Sequence, residues 1–217
     1  IAQQHELGSH THTHRHLSTL TPAERRTELT DSKRLLETTT SDSVVGFRAP
    51  SFDFAKDHFE ILADTGYEYD SSVVACRSIP GWYGGQYGLH KPAPATSISA
   101  GAPETLVEVP LAVMPGLRLP LTGTWIRFFG VRYTLLGMKL LARRGIAPVL
   151  YVHPWDLVNL PSVEGIPSRV YWRTGDYMRR AVRRILSSEF EFVPVGELAN
   201  TAKMEISDTT TGGDRKK

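Results

Sequence analysis

Residues 44–70 read Val44-Val45-Gly46-Phe47-Arg48-Ala49-Pro50-Ser51-Phe52-Asp53-Phe54-Ala55-Lys56-Asp57-His58-Phe59-Glu60-Ile61-Leu62-Ala63-Asp64-Thr65-Gly66-Tyr67-Glu68-Tyr69-Asp70. The apolar run up to Phe47 predicts a short buried strand, and Arg48 to Phe52 a loop. Asp53 is placed to cap a helix reaching Asp64, which Gly66 ends with a left-handed stop. Tyr67 to Asp70 predicts the next strand. Strand, loop, helix and strand in this order are the rhythm of βα units, so the fold class is α/β.

Upstream, Gln3-Gln4-His5-Glu6-Leu7-Gly8 closes a strand and leads into a histidine-rich loop. Thr21-Pro22-Ala23-Glu24 then starts a helix: threonine at the N-cap, proline first, glutamate three residues after the cap. That helix is expected to run to about Glu37. Downstream, residues 71–105 are rich in Gly, Pro, Ser and aromatics, the mark of a long functional loop or of disorder; Trp82, Tyr83 and Tyr87 favour an ordered loop beside a cleft. Strands are expected at 106–110, 148–152 and 190–195, and helices at 131–144 and 175–187. In the last helix Tyr177, Ala181 and Ile185 line one stripe, while Arg179, Arg180, Arg183 and Arg184 form a solvated face. Residues 1–203 are expected as one domain and 204–217 as a flexible polar tail.

Composition narrows the function classes. The 217 residues are 41% hydrophobic and 22% charged, enough to bury a core, and the net charge of +2 does not point to nucleic acid. One cysteine, Cys76, excludes an internal disulfide framework and a cysteine-based zinc cluster. The most apolar stretch, residues 125–142, contains Arg127, Arg132 and Lys139; burying each at mid-bilayer costs about 2.5–3.5 kcal/mol, so an amphipathic helix is expected rather than a membrane span. No signal peptide is visible, and the compartment, cytoplasmic or extracellular, stays open.

Five of the eight histidines, His5, His10, His12, His14 and His16, fall within twelve residues. Neutral imidazole is a good zinc ligand, yet alternating side chains of an extended segment point to opposite sides, so not all five can hold one ion. The competing reading is a surface histidine tract. His5, His12 and His16 are expected as surface or supporting groups.

The pattern His10-Thr11-His12-Thr13-His14 resembles the His-(Ser/Thr)-x-x-His motif of the polysaccharide deacetylases of carbohydrate esterase family 4. Arg48-Ala49-Pro50-Ser51-Phe52 resembles that family's Arg-x-Pro-aromatic motif, with one extra residue before the aromatic, as in a branch tied to exopolysaccharide synthesis. Gly66-Tyr67-Glu68-Tyr69-Asp70-Ser71-Ser72 resembles the same branch. Val149-Leu150-Tyr151-Val152-His153-Pro154-Trp155-Asp156 resembles the strand that ends in the family's histidine. The family's acidic motif, source of a catalytic base and a metal-binding aspartate, has no counterpart in this chain.

The resemblance implies an irregular (β/α) barrel of the seven-stranded type, N-terminally incomplete here, and metal-dependent hydrolysis of N-acetyl groups from amino sugars in a polysaccharide. It implies zinc or another divalent ion on His10 and His14, with His153 as the acid that protonates the leaving amine. Arg48 would orient the base carboxylate. Phe52 and Trp155 either stack on sugar faces or belong to the core. Asp70 either tunes His153 or Arg48 at the substrate-binding edge or caps its strand. The partner implied is an N-acetylated polysaccharide or oligosaccharide. Missing strands would expose sheet edges, so marginal solubility or homo-oligomerisation is expected. Two alternatives remain: a cyclic-amide hydrolase of the same fold, and a non-catalytic remnant that binds carbohydrate or metal.

Overall fold

A computed structural model describes residues 4–79 and 83–212, with side chains up to Ile206. The chain divides into two compact units, Ile1–Pro110 with Val193–Lys217, and Leu111–Phe192.

The first unit is built on a five-stranded sheet: β1 (Gly8–Ser9), β2 (Gly46–Phe47), β3 (Tyr69–Asp70), β4 (Ala93–Pro94) and β5 (Val107–Glu108), in spatial order β1-β2-β3-β5-β4. The first three pairings are parallel and β4 joins antiparallel. Helix α1 (Pro22–Thr40) connects β1 to β2, and α2 (His58–Asp64) connects β2 to β3, which is the expected βα rhythm. α1 starts with the predicted capping box: the Thr21 side chain accepts from the Glu24 amide while the Glu24 carboxylate takes the Thr21 N–H. It runs one turn past Glu37, to Ser41 in a left-handed cap. Leu17, Leu29, Phe47, Phe59, Leu62 and Leu106 are buried together in the core of this unit.

α2 begins later than expected. Pro50–Phe52 forms a 3-10 turn with Ser51 and Phe52 at positive φ, and the Asp53 carboxylate accepts the Ser18 N–H instead of capping a helix. Residues 190–194, expected as a strand, carry no regular structure; a helix, α5 (Val195–Gly212), follows and packs against β4 and β5. It continues through 204–212, where a flexible tail was expected.

A close approach fixes the sheet's centre. The Tyr69 ring crosses Gly46, where a Cβ would lie 2.1 Å from the phenol oxygen. That hydroxyl donates to Glu6 Oε1 at 2.7 Å, and Glu6 Oε2 accepts the Gly196 N–H at 2.9 Å. Only glycine permits the first contact.

The second unit packs α3 (Gly123–Ala142) against α4 (Asp176–Leu186). Met114, Leu121, Ile126, Met138, Met178 and Ile185 form its core. α3 starts eight residues before its expected start at 131, and Gly130 at φ 79° kinks it. Phe128 and Phe129 beside the kink are exposed. The strand expected at 148–152 reduces to one parallel bridge, Thr122 with Tyr151, and a hydrogen bond from the Ala112 N–H to the Val149 carbonyl. α4 buries Ala181 and Ile185 of the expected stripe, with Met178 beside them, and exposes Arg180, Arg183 and Arg184; Tyr177 is half-buried, and Arg179, expected on the solvated face, is half-buried and donates to the Leu157 carbonyl. Among the described residues no helix is long and apolar enough to cross a membrane.

Candidate functional site

The histidine loop leaves β1 and is tied down from below by α1. Glu28, buried on that helix, accepts the backbone N–H groups of His12 and Thr13 on Oε2, each at 2.8 Å, and the Thr13 hydroxyl on Oε1. Burial raises the Glu28 carboxyl, but the bonds from Thr13 and His12 outweigh it and hold the group below the ordinary carboxylate range. Thr11 and His14 sit at φ 65° and 61°, a left-handed conformation costing a non-glycine residue about 1 kcal/mol or more. The Thr11 hydroxyl accepts the His14 N–H at 3.0 Å and helps to hold that turn.

This curl brings the rings of His10 and His14 together, centroids 4.9 Å apart at 71°. His10 Nδ1 lies 2.6 Å from the Arg48 carbonyl oxygen. A carbonyl only accepts, so Nδ1 carries the proton and Nε2 holds the lone pair, the arrangement that second-shell carbonyls impose on metal-binding histidines. An imidazole lone pair on Nε2 is what a metal-ligating histidine requires. Among the described residues no group of three or more His, Cys, Asp or Glu side chains gathers around a common point. His5, His12 and His16 are exposed.

Arg48, at the end of β2, donates from Nε to the Ser71 carbonyl at 2.8 Å and from a terminal nitrogen to Ser71 Oγ at 2.6 Å. Its own backbone N–H bonds to Ser9 O, so Arg48 links the two motif loops. Phe52 packs edge-on to Tyr83, centroids 4.8 Å apart. Asp70, expected at the substrate edge, is fully buried instead. It faces His58 Nε2 at 3.0 Å and accepts from Ser72 Oγ at 2.6 Å, which leaves no carboxylate surface for a polymer. Burial would raise Asp70, yet His58 and the hydrogen bonds around it bring the carboxyl below its ordinary value. Glu108, also fully buried, goes the other way: burial first and Asp70 second push it well above the carboxylate range.

In the second unit, His153 ends the segment expected as a strand and opens a single 3-10 turn, Pro154–Leu157. Its Nε2 is 2.8 Å from the Tyr151 hydroxyl, and its Nδ1 is 3.6 Å from Asp156 Oδ2, which also accepts the His153 backbone N–H at 2.9 Å. Asp156 is completely buried and pairs with Arg127 Nε at 3.2 Å, close but without good hydrogen-bond direction. Gly123 makes room for it: a Cβ there would lie 2.2 Å from Asp156 Oδ2. Trp155 stacks on the His153 ring, centroids 5.0 Å apart at 30°, and the Arg127 guanidinium lies over the Trp155 ring, 5.0 Å from its centroid.

Reading the sequence alone missed Glu28, Ser71, Asp156 and Arg127. Asp156 had a usable signal, an acid three residues after His153 with Pro154 between, which is the spacing of a capping box. Glu28 and Ser71 had none, because their partners lie 15 and 23 residues away.

The structural neighbours include a protein from Mycobacterium smegmatis named as a polysaccharide deacetylase, with a TM-score of 0.62 at 19% identity, over 95% of this chain and 66% of that one. A polysaccharide deacetylase by name from Pseudomonas aeruginosa PAO1 gives 0.57 at 16%, over 92% and 59%. An allantoinase gives 0.56 at 15%, over 92% and 59%. At these identities the likeness shows the fold, an α/β architecture with a parallel-rich sheet, and the chain spans 59–66% of the length of these three structures. No curated protein matches the sequence. Residues 1–69 match the family described as polysaccharide deacetylase, and residues 71–200 match the domain of unknown function DUF3473. The chain belongs to the family of the domain of unknown function DUF3473, whose model covers residues 71–200, and its first 69 residues are similar to polysaccharide deacetylases.

Proposed function

We propose that this chain belongs to an enzyme that removes N-acetyl groups from amino sugars of a polysaccharide, with His10 and His14 as metal ligands and His153 as the proton donor. The observation that carries the reading is the His10–His14 pair, with the tautomer of His10 set by the Arg48 carbonyl. Two motifs of the family thus meet in one hydrogen bond. A divalent ion, zinc by preference, supplies Lewis acidity when bound there, acidifying water and polarising the acetamide carbonyl.

The remaining work falls to side chains. Arg48, held by Ser71, fixes the carbonyl that orients His10. His153 needs a proton on the nitrogen that meets the departing amine. Asp156 beside Nδ1 and the Tyr151 hydroxyl beside Nε2 hold the ring in one orientation. Trp155, stacked on that ring, and Phe52 offer faces for a sugar. The substrate is an N-acetylated polysaccharide or oligosaccharide.

The test is acetate release from N-acetylglucosamine oligomers with added zinc, with loss in His153→Ala and His10→Ala. Release from a cyclic ureide in place of the oligomers would favour the cyclic-amide reading. A second reading, a binder without turnover, is favoured by the two-ligand site: no third His, Cys, Asp or Glu joins the pair among the described residues. On that reading these 217 residues bind zinc weakly and release little acetate; full zinc occupancy with sustained turnover would refute it.

A further inference from the structure

Charge is divided unevenly between the two units. Residues 111–192 hold twelve lysines and arginines against five acids, a net of +7, so the remaining residues carry −5 of the chain's +2. Between Glu108 and Asp156 stand six lysines and arginines and no Asp or Glu. Such asymmetry within one chain is a mark of contact with an anionic partner.

The cations lie beside an apolar face that water still reaches. On α3, Phe128, Phe129 and Leu136 are 41%, 52% and 53% exposed, and Trp172 beside them is 40% exposed. Ring contacts run unbroken along this face. Trp172 meets Phe128 at 5.3 Å, Phe128 meets Trp125 at 6.3 Å, Trp125 meets Phe129 at 5.6 Å, and Phe129 meets Tyr133 at 5.0 Å. After the kink at Gly130, exposed Arg132, Leu136, Lys139 and Arg143 recur at steps of four and three, so they share the outward side of the helix. Lys139 also meets Glu189 at 2.9 Å, a pair open to water on both sides and weak for that reason.

A contiguous exposed apolar patch marks a contact site, and its chemistry selects the occupant. A second copy docked about a two-fold axis would set cations against their own images, which repel. A single-stranded nucleic acid needs open aromatic faces. Trp125 and Phe129 lie at 12° and cover each other, and Leu136 offers a base nothing to stack on. An anionic bilayer surface satisfies both halves of the pattern. Aromatic rings settle at headgroup level, leucine reaches the acyl boundary, and arginine and lysine meet lipid phosphates.

We propose that the α3 face from Phe128 to Arg143, with Trp172, is a membrane-surface contact that recognises anionic phospholipid headgroups. The helix lies on the bilayer rather than across it, because Arg127, Arg132 and Lys139 fall within its length. The proposal is independent of the deacetylation reading, and its test involves no turnover. The full chain is floated with vesicles of phosphatidylcholine containing about one third phosphatidylglycerol, and with vesicles of phosphatidylcholine alone. The anionic vesicles should bind it at least tenfold more tightly, and raising salt to about 0.5 M should remove most of that preference. Phe128→Ser with Phe129→Ser should lose at least tenfold, and so should Arg132→Glu with Arg143→Glu, which changes only exposed charges. If the phenylalanine variant does not fold, the arginine variant carries the test alone. Failure of the folded chain to float with anionic vesicles, equal binding to both vesicle types, or unchanged binding in the arginine variant overturns the proposal. Two further results would assign the face to another occupant and overturn it as well: self-association without lipid that Phe128→Ser with Phe129→Ser abolishes, and binding of a single-stranded oligonucleotide as tight as that of the anionic vesicles.

Discussion

Glu28 holds the histidine loop by three bonds, so its replacement should loosen the metal pair without touching either imidazole. The carboxylate takes the His12 and Thr13 N–H groups on one oxygen and the Thr13 hydroxyl on the other. A hydrogen bond to a charged group contributes about 1.5–3 kcal/mol, and water re-solvates part of what is lost in an exposed loop, which puts Glu28→Ala at about 3 kcal/mol. Glu28→Gln can keep all three contacts, with its carbonyl toward the two N–H groups and its amide toward Thr13 Oγ1. Only the charge assistance goes, so about 1 kcal/mol is expected. The sign of the pH dependence follows from the lowered carboxyl. Its stabilising contribution is complete above the unfolded glutamate value of 4.5 and disappears as pH falls through the lower folded value. Urea melts at pH 7 and at stepped acidic pH read the first part. Zinc titration reads the second, with at least a tenfold weaker apparent affinity for Glu28→Ala. A Glu28→Ala protein within 0.5 kcal/mol of the parent, or with unchanged zinc affinity, would show that the strained turn stands without this carboxylate.

Three further outcomes follow from contacts described above. Burial and the neighbouring Asp70 raise the Glu108 carboxyl well above its unfolded value of 4.5, so stability should fall as pH rises from 4.5 through the raised folded value, by at most about 1.4 kcal/mol per pH unit; Glu108→Gln should flatten that slope in pH-stepped melts, and an unchanged slope would assign it elsewhere. Arg127→Met leaves Asp156 buried without its cation, which should cost about 3–5 kcal/mol in urea melts and reduce any acetate release through His153; a loss under 1 kcal/mol would count against a charged Asp156. Gly46→Ala drives a methyl into the Tyr69 phenol, and about 1–3 kcal/mol should be lost; beside Tyr69→Leu, which removes the ring carbons as well as the oxygen, Gly46→Ala should cost clearly less, and an equal cost in both backgrounds would refute the clash.

How much of this was legible in the sequence depends on the range of the interaction. α1 was readable because its start lies in four consecutive residues, Thr21 to Glu24, and because caps act locally. α4 was readable from the alternation of Met178, Ala181 and Ile185 with arginines. The start of α3 was not. Its first turns, Gly123 to Phe129, are rich in glycine, β-branched and aromatic residues of modest helix propensity, and Gly130 breaks the periodicity. The strand expected from Phe190 failed because a short apolar run does not distinguish a strand from a segment leading into a helix. At the candidate site, His10, His14, Arg48 and His153 were recognisable from motif spacing. What holds them was not, since Glu28, Ser71 and Arg127 reach them only once distant segments have packed. Asp70 shows the reverse: a polar residue in the right stretch, turned inward to His58 by the packing of α2.

The bond from Gly196 to Glu6 joins residues 190 apart, and the first unit draws on both sides of the second. Synthesis from the N-terminus therefore delivers every residue of the Leu111–Phe192 unit before α5, which packs on β4 and β5, has left the ribosome. The inserted unit can reach its native state while the surrounding one still waits for its last helix. During that interval β4 and β5 lack the helix that packs on them, and the speed with which α5 docks sets how long the nascent protein carries that uncovered surface.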